Sequence, residues 1–144
     1  MKRESKNIVT ISLNEIYNFD ELKNFLKEKI LQEKYKFYLV AENYEEDYVK
    51  NILELFLSNK IEYELFQISN KEFNEFYKAI DSGIHIGTKK EILKSNAEWK
   101  ILLKEEISEN DKVEYMNLEN CYLAYNLKDV KDILIFFASN DLEC

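Results

Sequence analysis

His85 is the only histidine in the chain, and Cys121 is one of two cysteines. An imidazole can act as a general base near neutral pH, and a thiolate can act as a nucleophile. Such a pair needs hydrogen-bond reach in space, which spacing along the chain does not provide. Cys121 stands in an apolar stretch beside tyrosines, the setting of an inert core thiol. Neither residue carries a local signature, so the sequence predicts no catalytic residue and no cofactor.

Carboxylates are the more numerous reactive groups. Glu42, Glu45, Glu46 and Asp47 are interleaved with Tyr44 and Tyr48 directly after a predicted strand. Oxygen ligands suit Mg²⁺, and the carboxyl end of a strand in an open α/β sheet is where ligands bind. The same run has the composition of a helix N-terminus, where the dipole favours acids. One segment alone does not supply the convergent set that an octahedral ion requires, so no metal is predicted.

A second acidic run comprises Glu105, Glu106, Glu109, Asp111, Glu114 and Glu119, with Lys112 as the cation inside it. Tyr115 and Met116 lie in the same stretch. Acids displayed with aromatics suit docking of a basic protein surface, because charge steers the approach and aromatic anchors hold it. A solvated hairpin and helix end has the same composition and needs no partner.

The segment Ser82-Gly-Ile-His-Ile-Gly-Thr88-Lys-Lys holds both glycines of the chain. It departs from a phosphate loop in two ways: the spacing is one residue short, and threonine precedes lysine. Backbone N–H groups at the start of the next helix could hold an anion beside Lys89 and Lys90. A capped connection is the simpler reading.

The charge balance narrows the possible partners. There are 20 Lys+Arg against 28 Asp+Glu, a net charge of −8, and Arg3 is the single arginine. Direct nucleic-acid binding calls for a basic footprint with arginine forks, so none is expected. The best local surplus is Lys89, Lys90, Lys94, Lys100 and Lys104 against Glu91 and Glu98, and alternating charge on a surface helix accounts for it.

A chain of 144 residues, 46% apolar and 14% aromatic, has enough material for a packed core. No apolar run approaches ~18 residues, so no membrane span is predicted. No export signal is legible, and Cys121 and Cys144 lack metal or redox spacing. The expectation is a cytoplasmic chain with reduced thiols.

The elements that must position these groups follow from periodicity. Residues 8–13, 36–41 and 61–69 read as strands. Asn18 can cap a helix whose stripe is Phe19, Leu22, Phe25, Leu26 and Ile30. Val49, Ile52, Leu53 and Phe56 mark a second helix, and Phe73, Phe76, Tyr77 and Ile80 a third. The glycine segment around His85 reads as a loop, with at most a short strand. Thr88 to Glu91 fits a capping box for a fourth helix, with Ile92, Leu93, Trp99, Leu102 and Leu103 on its inner side. Val113–Asn117 and Cys121–Tyr125 read as a hairpin, and Leu127, Val130, Ile133, Leu134 and Phe137 as a last helix. The predicted fold is a single α/β domain over residues 1–144. Its sheet is mixed, with a βαβαβ core plus a C-terminal hairpin and helix; a two-layer α+β arrangement is the alternative.

Acidic charge, small size and missing catalytic residues point to a protein that binds and blocks one basic, nucleic-acid-handling partner, such as a nuclease. Immunity proteins of toxins and phage-encoded anti-CRISPR inhibitors are of this kind. Carboxylates from Glu105 to Glu119, joined by Glu42 to Asp47, would occupy a cleft meant for phosphates. Reversing Glu109, Asp111 and Glu114 to lysine would then slow association without lowering the melting temperature. Two alternatives are a small-ligand-binding or metal-dependent enzyme domain using Glu42, Glu46 and His85, and a non-catalytic subunit of a larger assembly.

Overall fold

Six short segments dense in branched and aromatic residues pair side by side in the computed structural model, which describes residues 6–16, 18–42, 46–69, 71–80, 83–104, 106–116 and 118–139. The strands are β1 (Asn7–Ser12), β2 (Tyr35–Ala41), β3 (Tyr63–Gln67), β4 (Ile84–Gly87), β5 (Trp99–Leu103) and β6 (Cys121–Ala124). They form one sheet in the order β3-β2-β1-β4-β5-β6, and every pairing is parallel. The fold is α/β. This is the doubly wound order, with its topological switch between β1 and β4.

Helices cover both faces, as a parallel sheet requires. On one face lie α1 (Phe19–Leu26), α2 (Lys29–Lys34), α3 (Asp47–Ser58) and α7 (Leu127–Ser139). Their stripes Leu22–Phe25–Leu26, Val49–Ile52–Phe56 and Val130–Leu134–Phe137 bury Val9, Ile11, Phe37, Leu39, Ile84, Ile86 and Ile101 of the strands. Phe37 is at the centre, edge-on to Phe25 at 6.2 Å and to Phe56 at 5.3 Å. The buried Tyr35 hydroxyl donates to the Leu134 carbonyl and so ties β2 to α7.

The opposite face carries α4 (Phe73–Ala79), α5 (Lys89–Lys94) and α6 (Glu109–Met116). Phe76 of α4 meets Phe66 of β3, Ile92 of α5 meets Leu102 of β5, and Lys89 of α5 joins α6 through its acids. This second core is thinner and more polar. Thr10, His85, Lys100 and Cys121 stand in register on β1, β4, β5 and β6 across this face.

Three local expectations change. The short strand within the glycine segment proves to be its main feature: Ile84–Gly87 is the central strand β4, buried along its length. Gly83 enters it at φ +73°, where a Cβ would meet the Ile8 carbonyl oxygen at 2.4 Å, so this position needs glycine. The fourth helix ends at Lys94, and Trp99, Leu102 and Leu103 belong to β5. Their spacing mimicked a helical stripe because β5 is buried on both faces, which removes the alternation that marks a half-exposed strand.

The terminal hairpin is replaced by α6 and a parallel β6, so the sheet is not mixed. Ser108 and Asp111 form a reciprocal cap that starts α6. The Asp111 N–H donates to Ser108 Oγ at 3.1 Å, and the Ser108 N–H to Asp111 Oδ2 at 3.3 Å. A Ser-x-x-Asp signature was present in the sequence and identifies this start.

Candidate acidic edge of the sheet

All six strands run the same way, so the segments that follow them open at one edge. Helices start there, and their unpaired N–H groups ordinarily make that edge a place for anions. At the starts of α5, α6 and α7, acids of the chain itself take part in the caps. The Glu91 carboxylate accepts from the Thr88 N–H at 2.7 Å and from Thr88 Oγ1 at 3.1 Å, closing the start of α5. It also lies over Gly87, where a Cβ would come within 2.6 Å of Glu91 Oε2. Asp111 closes α6. Glu21 of α1 reaches across to accept from the Leu127 N–H at the start of α7. Asn126 and Asp129 complete that cap, at 2.9 Å each, on the Asp129 and Tyr125 N–H groups. Asn18 caps α1 through the Glu21 N–H at 3.0 Å, as its sequence position predicts.

The start of α5, which the sequence offered as an anion site beside Lys89 and Lys90, is therefore filled by Glu91. Lys89 is engaged too: its ammonium lies 2.7 Å from Glu114 and 3.8 Å from Asp111. Lys104 holds Asp111 from the other side at 2.9 Å.

The two acidic runs separate into free and engaged groups. Glu42 and Glu46, between β2 and α3, and Asp47, the first residue of α3, are exposed. Glu46 occupies the N-cap position of α3 without a side-chain cap bond. Tyr48 projects beside them, 40% exposed, and its hydroxyl donates to Asn14 Oδ1 at 3.2 Å. Partial burial, followed by the Glu46 and Glu42 charges, raises the Tyr48 pKa, so these carboxylates act on one aromatic ring. After β5, Glu106 and Glu109 are exposed at the same edge, and Glu109 contacts Lys112 at 3.4 Å. Phe19 and Tyr125, which follow β1 and β6, add exposed rings along it. A groove of about 680 Å³ between the starts of α1 and α7 is lined by Asn18, Asp20, Asn126 and Lys128, among others.

Other members of the predicted site fall elsewhere. Asp111 is only 5% exposed and Glu114 is paired, so both are structural. Glu119 lies in the turn before β6, at the opposite edge. Tyr44, Glu45 and Glu105 lie outside the described residues, as does the side chain of Tyr115. His85 is sealed inside the second core, away from the exposed Glu42 and Glu46, so these three do not share a site. Cys121 is two strands from His85, about 10 Å at the usual strand spacing. Burial pushes its thiol pKa up to about 11, against the pull of Lys100, so it is a poor nucleophile. Among the described residues, no three of His, Cys, Asp and Glu converge as a metal site. Among them, too, no helix is long and apolar enough to cross a membrane.

The hydrogen bond from Lys104, with help from Ser108, holds the Asp111 pKa down at about 2. A depressed carboxyl pKa contributes stability above its unfolded value near 4, and that contribution is lost as pH falls towards 2. Asp111→Asn is therefore expected to lower the urea midpoint at pH 7, with the gap to the parent closing between pH 4 and pH 2. A gap that stays constant with pH would mean that the charge of Asp111 is irrelevant. The same geometry corrects the expected reversal of Glu109, Asp111 and Glu114. Lysine at 111 would face Lys89 and Lys104, so that triple change lowers the melting temperature.

The geometry defines a doubly wound parallel sheet whose carboxyl edge carries exposed carboxylates. No protein-family model matches the chain, and neither a curated protein nor a solved structure does.

Proposed function

We propose that the chain binds a basic, nucleic-acid-handling protein through the carboxyl edge of its sheet and blocks it by occupying the cleft meant for phosphates. The observation that carries this reading is the inversion of that edge. Helix starts that ordinarily receive phosphate are closed by Glu91, Asp111 and Glu21. The remaining Glu42, Glu46, Asp47, Glu106 and Glu109 face solvent with Phe19, Tyr48 and Tyr125. Exposed carboxylates steer a cationic partner, and half-exposed rings supply the anchors that hold it. The net charge of −8 extends that steering beyond the contact itself. An immunity protein or an anti-CRISPR-type inhibitor would work in this way, in the compartment of its target.

The test is affinity capture from nuclease-treated native lysate, beside a variant in which Glu42, Glu46 and Asp47 are lysine. The expected result is one stoichiometric basic protein, held by the parent, released at high salt, absent from the variant, and hindered by the parent in binding nucleic acid. Capture of the same proteins by parent and variant would overturn the reading.

A further inference from the structure

His85 is fully buried, and neither Nδ1 nor Nε2 has a hydrogen-bond partner. An unpaired polar group inside a core is costly, and a charged one is far more so. The surroundings make protonation worse. Thr10 flanks the imidazole from β1, and Lys100, a cation, flanks it from β5. Tyr77 of α4 covers it with ring centroids 5.1 Å apart. Farther along this face β2 contributes Tyr38 and Lys36. From α5 comes Glu91, whose carboxylate is already bound to Thr88, and the half-buried Lys94. On α4 itself Glu75 and Lys78 are exposed, as is Glu72 at its N-cap position. Burial first, and then Lys100, lower the His85 pKa to about 4.

A group that resists protonation in the closed structure favours any state in which it meets water. The strands beneath His85 cannot supply that state, because β1 and β4 are central in the sheet. The cover can. α4 is a seven-residue helix without a side-chain N-cap bond. It rests on Phe76 against Phe66 and on Tyr77 against His85, packs beside α5, and is tied at its end by Asn96, whose side-chain and backbone N–H groups donate to the Lys78 and Ile80 carbonyls.

We propose that α4 is an acid-released lid: protonation of His85 lifts Phe73–Ala79 from the sheet while the strands stay paired, uncovering Tyr38, Phe66 and the imidazole.

The direction follows from linkage. With α4 open, His85 titrates near its ordinary ~6.5; with α4 closed, burial holds it at about 4. The closed form is thus fully favoured above pH 6.5. Each pH unit below that multiplies the open-to-closed ratio by about ten, until pH approaches 4.

Amide hydrogen exchange in the intact chain, corrected for intrinsic exchange rates, tests this at pH 7 and pH 4.5. The expected result is an opening constant for Phe73–Ala79 about 100-fold larger at pH 4.5, with the β1 and β2 amides unchanged. In His85→Leu the pH dependence of α4 disappears. Equal α4 protection at both pH values overturns the lid, as does joint loss of protection in α4 and the strands. An unchanged pH dependence in His85→Leu would also overturn it. Should that variant fail to fold, the parent still decides the matter. Its single imidazole gives one assignable NMR titration, and a midpoint near 6.5 with α4 protected refutes the proposal.

Discussion

Phe37→Ala is expected to destabilise the chain by about 4 kcal/mol, a shift of about a thousandfold in the folded-to-unfolded ratio. Phe37 is 1% exposed and stands where β2, α1 and α3 meet. Val9 and Tyr63 are its register partners on the neighbouring strands, while Phe25 of α1 and Phe56 of α3 press their rings on it from one face. Removing the ring leaves a cavity that three rigid elements cannot collapse to fill, so the cavity penalty adds to the lost transfer energy. Urea midpoints measure the loss. Leu57→Ala is the control: Leu57 lies on α3 but is 65% exposed, and its loss should stay within about 0.5 kcal/mol. Similar losses for the two variants would mean that the α1–α3 face is not the main core.

Replacing Glu42, Glu46 and Asp47 by lysine is expected to slow association with the captured partner at least tenfold at low salt, with the difference shrinking as salt rises. The charge changes by six units on a segment whose described carboxylates are exposed. Electrostatic attraction acts on the encounter, so the effect should fall on the association rate more than on dissociation. The cost to folding is small. Asp47 opens α3 and Glu46 precedes it, and reversing charge at a helix start costs about 0.3–1 kcal/mol per residue. Stopped-flow association at two ionic strengths, alongside thermal melts, separates the two effects. An unchanged association rate would remove this segment from the proposed interface.

These expectations use the acidic clusters differently from a reading of the chain alone. In sequence, Glu105 to Glu119 is the denser run and looks like the principal surface. In three dimensions Asp111 and Glu114 are consumed by Lys89 and Lys104, which come from segments up to 25 residues away. Glu119 sits at the far edge of the sheet. A count of charges along the chain does not register such pairs, because ion pairing is decided by contacts across the fold.

Elements with strong local signals were legible in the sequence. Asn18 before α1, the Thr88–Glu91 cap of α5, and the stripes of α3 and α7 all rest on interactions within one turn or one helix face. The acidic character of the surface and the βαβαβ start of the α/β fold were legible for the same reason. Elements whose identity depends on distant neighbours were not. β4 and β5 are buried on both faces, so they show no alternation. β4 also carries a histidine and a glycine that local rules assign to a loop, and its strand identity comes from β1 and β5 on either side. The tertiary structure alone placed His85 under α4, carried Glu21 to the start of α7, and brought Glu42, Glu46, Asp47, Glu106 and Glu109 to one edge. Parallel pairing is a long-range property: it turns segments far apart in sequence into neighbours, and with them it decides which charges are spent inside the fold and which remain at the surface.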